Sequence, residues 1–135
     1  MRVDGRGLLA IFAGGFCGAI ARAQVTDALP YEAGQWPWPT LLVNVAGALL
    51  LGYVITRVED DREPFAHAGR LLGTGFCGAL TTFSAMQLEL LQMLDDDRLA
   101  LAAAYALVSL AAGLAAVALA TRLTRNRGAG SAGAP

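Results

Sequence analysis

From residue 7 to residue 123 the chain falls into four long apolar runs, at about 7–28, 40–58, 68–94 and 99–123, and its charged residues collect in the gaps between them. A helix needs about 20 mostly apolar residues to cross a hydrocarbon core. The pattern therefore predicts an all-α integral membrane protein with four transmembrane helices, forming one domain over residues 1–127. Residues 128–135, GAGSAGAP, have nothing to bury and read as a disordered tail. Composition points the same way: 56% of residues are hydrophobic and 16% charged, whereas about a quarter are charged in a soluble domain.

The third run contains an anomaly. Residues 73–89, GTGFCGALTTFSAMQLE, bring Thr81, Thr82, Ser84 and Glu89 to membrane depth, together with Gly73, Gly75 and Gly78. Backbone that leaves helical geometry at that depth survives only where protein buries it or water lines it. Broken helices of that kind usually mark a binding or conduction site. The expectation is a third helix broken near residues 78–82.

Several function classes lose support. A net charge of −1, with every basic residue an arginine, offers no basic surface for nucleic acid. Cys17 and Cys77 both lie beside glycine in apolar runs, where inert buried thiols are the expectation and a disulfide framework or zinc site is not. No nucleophile, metal-ligand cluster or phosphate loop is visible, so the chain does not read as an enzyme.

In the first run, Arg2, Arg6, an apolar stretch and Ala21-Arg22-Ala23 loosely resemble a signal peptide, but Gly14, Gly15 and Gly18 sit badly in its apolar region. Gly14 and Gly18 instead form a GxxxG pair that lets helices approach closely. Arg22 is costly inside a membrane, about 2.5–3.5 kcal/mol on insertion scales. It either snorkels to the interface or supplies a fixed positive charge at the mouth of an anion pathway. The second run opens on Trp36-Pro37-Trp38-Pro39, an interfacial anchor and helix start. Asn44, well inside it, is either glue between helices or a pair of amide donors for an anion. Gly47, Ala48 and Gly52 form a small-residue face. In the fourth run Tyr105 and Ser109 are four apart and share one face; they line a pore or serve locally, Ser109 by bonding its own backbone.

Arginine placement gives an orientation. Arg2, Arg6, Arg57, Arg62, Arg70, Arg122, Arg125 and Arg127 fall on one side and Arg98 alone on the other, with Arg22 embedded. The positive-inside rule then places both termini in the cytoplasm of a multi-pass protein of the cell membrane.

These residues resemble the fluoride channels of the Fluc (CrcB) family over nearly the whole chain, from about residue 8 to residue 123. The likeness rests on GGFCGAIAR (14–22), PTLLVNVAGALLLG (39–52), GTGFCGALTTFS (73–84) and the following Glu89. The resemblance implies a four-helix subunit working as an antiparallel dimer with two fluoride pores and a structural, untransported Na+ at its centre. That ion would be held by the backbone carbonyls of Gly78 and Thr81. It also implies an anion pathway through Arg22, Asn44, Thr82, Phe83, Ser84, Glu89 and Tyr105, with Phe83 presenting its positive ring edge to the anion. Fluoride must shed much of its water, which suits several weak donors in series better than one tight site.

The chain departs from the family where TTFSTF reads TTFSAM, so Met86 stands in place of a second pore aromatic and Ala85 in place of a threonine. Gly113 follows Ser109 by one turn and shortens the hydroxyl track. A homodimer of antiparallel subunits calls for weak arginine bias, whereas this bias is strong. A second, oppositely oriented homologue is therefore expected as the partner. The function expected is a passive, fluoride-selective channel that lets cytoplasmic fluoride leave and lowers its toxicity. Two rivals remain: a small multidrug-resistance-type proton-coupled exporter, which needs a carboxylate embedded in its first helix, and a non-conducting partner subunit of a heterodimeric channel. The first helix has no acid between Gly5 and Thr26 and reaches one only at Asp27.

Overall fold

The computed structural model describes residues 4–60 and 68–131, and every regular element among them is helical. Helix α1 is Gly5–Ala28 and α2 is Trp38–Asp60. Helix α3 begins as a wide π-helix over Gly69–Cys77 and tightens to α geometry over Gly78–Leu80. Helix α4 is Phe83–Asp95 and α5 is Leu99–Ser131. Arg2 and Arg62 of the orientation argument, and residues 132–135 of the tail, lie outside the described residues.

Local chemistry explains the helix ends. Asp4 caps α1 by accepting the Arg6 N–H at 3.1 Å. Pro37 and Pro39 flank the start of α2, where a missing N–H costs nothing. The α4–α5 turn holds Asp97 at φ 57°, a left-handed geometry that aspartate tolerates better than most residues. Helix α5 runs past the expected end at residue 123 and covers 128–131 of the segment read as a disordered tail. Its Ala, Leu and Arg residues are good helix formers and no stop signal intervenes before the glycines. At 1.5 Å per residue it extends about 50 Å, more than a hydrocarbon core needs.

Helices α1, α2 and α5 are each long and apolar enough to cross a membrane, over Gly5–Ala28, Trp38–Val58 and Leu99–Asn126. Only 11%, 33% and 17% of their most apolar windows are buried within the chain. Most of that apolar surface therefore faces outward, as lipid or a second subunit requires.

Two close helix pairs organise the fold: α1 lies along α3, and α2 along α5. Glycine makes both possible. A Cβ on Gly14 would fall 2.9 Å from the Phe76 nitrogen and collide with the Leu71 carbonyl; one on Gly75 would fall 3.1 Å from the Gly14 Cα. In the second pair a Cβ on Gly52 would lie 3.0 Å from the Val117 carbonyl oxygen. These are backbone-to-backbone contacts of the small-residue kind that drives packing in lipid. At one end of the α1–α3 pair, Arg70 Nη1 reaches Asp4 Oδ2 at 2.6 Å. That hydrogen bond holds the Asp4 carboxyl below the usual carboxylate range. Its contribution is present above the ordinary carboxylate pKa and is lost as pH falls through the lowered value; both side chains are solvent-exposed, so it is small.

A methyl added at the α1–α3 seam should be felt. Gly14→Ala is expected to cost about 1–3 kcal/mol through overpacking, whereas Gly113→Ala, which meets nothing within 4 Å, should be neutral or gain up to about 1 kcal/mol of helix propensity. Thermal unfolding of the two variants in the same detergent ranks them.

Candidate functional site

The site is built around two residues that leave helical geometry. Thr81 (φ −78°, ψ 151°) and Thr82 (φ −145°, ψ 116°) are extended between α3 and α4. The interval is shorter than the 78–82 expected, because Gly78–Leu80 stay helical. Two extended residues between helices need partners for their backbone groups. Asn44 of α2 supplies both for Thr82: its Oδ1 accepts the Thr82 N–H at 2.7 Å and its Nδ2 donates to the Thr82 carbonyl at 3.1 Å. The Thr82 hydroxyl then caps α4 by accepting from the Ala85 N–H at 3.2 Å. Thr81 turns its N–H and its hydroxyl back onto the Cys77 carbonyl, at 3.0 and 2.8 Å.

These substitutions release two carbonyls. In a continuous helix the Thr82 N–H would serve Gly78 and the Ala85 N–H would serve Thr81. Both N–H groups are committed to side chains instead. Gly78 is exposed, and a Cβ built there meets nothing within 4 Å.

Beside this feature lies a polar cleft of about 380 Å³ between α1, α2 and α4. Arg22 and Asp27 come from α1, Thr40 from α2, Thr82 and Glu89 from the α4 segment, and Tyr31 from the connection between α1 and α2. Glu89 is buried, and its carboxyl accepts three hydroxyl hydrogen bonds. Tyr31 donates to Oε1 at 2.8 Å, Thr40 donates to the same oxygen, and Tyr105 of α5 donates to Oε2 at 2.7 Å. Burial, reinforced by the bond to Glu89, pushes the Tyr31 phenol up to about 12, so it keeps its proton throughout the physiological range. Arg22 is half-buried, and no carboxylate pairs with it among the described residues. The cleft thus carries the Arg22 guanidinium beside two carboxyl residues, Asp27 and Glu89, and the guanidinium is the group there that attracts a small anion.

The residues singled out from sequence divide accordingly. Arg22, Thr82 and Glu89 share the cleft, and Tyr105 reaches it through Glu89. Asn44 sits behind it, with one of its amide hydrogens spent on the Thr82 carbonyl rather than offered to an anion. Phe83 and Ser84 face outward, Phe83 with 71% of its surface exposed; Ser84 keeps one link inward, 3.3 Å from the Thr82 hydroxyl. Met86 packs against the small core of Leu41, Met93, Ala102 and Tyr105. Ser109 Oγ is buried one turn from Tyr105 and interacts with its phenol. Sequence reasoning missed Tyr31 and Thr40. Thr40 carried a readable sign, a hydroxyl in the first turn of an apolar helix, whereas Tyr31 lies in a loop whose path no periodicity reveals.

A family model described as CrcB-like protein, Camphor Resistance (CrcB), matches residues 9–121. The chain is 51% identical over 122 residues to a protein of Mycolicibacterium paratuberculosis named fluoride-specific ion channel FluC 1, covering 90% of this chain and 92% of that one. A Mycobacterium bovis protein of the same name is 49% identical over the same shares. One from Chlorobium phaeobacteroides, named fluoride-specific ion channel FluC, is 37% identical over 79% of this chain and 84% of its own.

The Asn44–Thr82 exchange needs one donor and one acceptor on the same amide. Asn44→Asp keeps the acceptor but turns a second oxygen toward the Thr82 carbonyl. It should lower the thermal stability of the purified protein by about 1–3 kcal/mol, and Asn44→Leu should do no better.

Proposed function

The chain belongs to the CrcB family, whose model covers most of its length, and from that premise we propose that it is a passive, fluoride-selective channel that lets cytoplasmic fluoride leave the cell. The observation that carries the reading is the cleft at Glu89, where hydroxyls from three separate elements converge beside Arg22. Arg22 draws the anion to the cleft. Fluoride then exchanges water for hydroxyl donors one at a time, each weak enough to release it again. Glu89 holds those donors through its two oxygens, and since each has one hydrogen a hydroxyl meets fluoride only by turning from the carboxylate while the others keep it bonded.

The subunit is proposed to work as an antiparallel dimer. Outward-facing apolar surface on all three long helices and an exposed Phe83 suit a partner better than lipid alone, since only a partner gives the Phe83 ring edge an anion to face. In that reading α3 and α4 form one crossing interrupted at Thr81–Thr82. The carbonyls of Gly78 and Thr81 are freed there by the commitments of the Thr82 and Ala85 N–H groups, and they are the hard oxygen ligands a structural Na+ prefers. The ion would supply positive charge that holds the two subunits at their centre.

Met86, packed into the core, leaves one wall without a second aromatic. Together with the arginine bias, which favours cytoplasmic termini, this supports pairing with an oppositely oriented homologue. The same feature favours the second reading, a subunit that assembles but does not conduct. The exporter reading has less support, because the buried carboxylate lies on α4 rather than in the first helix.

Fluoride efflux from liposomes separates these readings. Vesicles holding the chain with its co-subunit should release fluoride passively, and Phe83→Ile should slow release roughly tenfold, about 1.4 kcal/mol on the barrier. Robust efflux from this chain alone would refute the pairing. No efflux under either condition would refute the channel, and proton-driven extrusion of an organic cation would favour the exporter.

A further inference from the structure

The connection between α1 and α2 is tied down along its length. Gly34 takes φ 76°, a conformation a side chain would strain, and a Cβ there would press on the Asp96 carboxylate. Arg98 Nη1 donates to the Gly34 carbonyl at 3.1 Å, fixing the loop to the α4–α5 turn. Trp36 sets its ring edgewise on Tyr105, with centroids 5.5 Å apart. The turn between is closed by the Gln35 N–H and side chain, both donating to Glu32 at 3.1 Å. The result is a strap across the cleft, and Tyr31 is the residue it lowers in. The Tyr31 ring forms a wall of the polar cleft on one side and of an apolar hollow with Ala28, Leu29, Trp38 and Leu42 on the other.

Tyr31 differs from the other two donors on Glu89. Thr40 and Tyr105 are buried within α2 and α5, whereas Tyr31 is half-exposed and lies on a loop. Oε1 receives both Tyr31 and Thr40, and Oε2 receives Tyr105. A phenol has one hydrogen to give. If Tyr31 turns that hydrogen away, Oε1 still holds Thr40 and Oε2 still holds Tyr105. The buried carboxyl is not orphaned, which avoids the main cost of breaking such a bond. No other donor on Glu89 combines accessibility with that redundancy.

We propose that Tyr31 is a donor in the anion path, swinging its single O–H from Glu89 Oε1 to a fluoride that has passed Arg22, while Thr40 and Tyr105 keep Glu89 in place. This rests on the fluoride-channel reading and adds to it a donor on the α1–α2 loop, which the arginine bias puts on the outer side, where departing fluoride leaves the cleft. Arg98 and Gly34 serve as positioning residues, since they set the height of the strap.

Two measurements test it. In fluoride-efflux vesicles containing the full chain and its co-subunit, Tyr31→Phe keeps the ring and removes the hydroxyl. The expectation is a fall in efflux of about tenfold at low fluoride that shrinks as fluoride is raised, the mark of a lost binding donor. Unchanged efflux across that range overturns the proposal, and if the wild type conducts it leaves the channel reading intact. The second measurement does not need conduction. With tyrosine labelled at Cζ, the chain's three tyrosines give three carbon signals, and that of Tyr31 is the one missing from Tyr31→Phe, or, should that variant not fold, from Tyr31→His. Sodium fluoride, but not sodium chloride, should shift the Tyr31 signal. A Tyr31 signal indifferent to fluoride overturns the proposal whether or not the vesicles conduct.

Discussion

Everything in the site depends on how the backbone of Thr82 is satisfied. An unpaired N–H or C=O in hydrocarbon costs several kcal/mol, so a chain cannot leave helical geometry there without another group taking the helix's place. The Asn44 amide does so with the fewest atoms, accepting and donating on one plane. Because Asn44 stands on α2, the extended residues are bonded to a neighbouring helix rather than to their own. This positions the start of α4, and with it Glu89 two turns on, relative to Thr40 on α2. Convergence of hydroxyls on Glu89 is thus a consequence of an amide that does not itself line the cleft.

The glycine seams have a complementary effect. Backbone-to-backbone contact between α1 and α3 at Gly14, Gly18 and Gly75 draws Arg22, two turns further along α1 than Gly14, toward the start of α4. A bulkier seam would hold α1 away and widen the cleft. The contact that reads as plain packing therefore also fixes the separation between a positive charge and a ring of hydroxyl donors.

Most of the fold was legible in the sequence because length and hydropathy determine what can cross a bilayer, and the helical runs, small-residue faces and anomalous third run all follow from those rules. Within the site, Arg22, Thr82, Glu89 and Tyr105 were legible as polar groups in apolar runs. What could not be read was direction. Asn44 was read either as glue between helices or as a pair of donors for an anion, and its amide bonds the Thr82 backbone; Met86, in place of a second pore aromatic, packs against the core that holds Tyr105. A single step along a helix turns a side chain by about 100°, and only tertiary packing decides which neighbour it meets. Tyr31 was illegible for a different reason, since a loop has no period and its path follows from Gly34, Trp36 and Arg98 acting together.

Arg98 links the charge pattern of the chain to the loop beside its cleft. It is the one arginine of the chain expected on the outer side, and counted by topology alone it is a weak exception to the charge bias. In the fold it donates to the Gly34 carbonyl and anchors the strap that carries Tyr31. Arg98 has a structural partner at its own end, and the arginines of the opposite end carry the bias from which cytoplasmic termini are expected. The expected orientation and the geometry of the cleft therefore draw on different arginines.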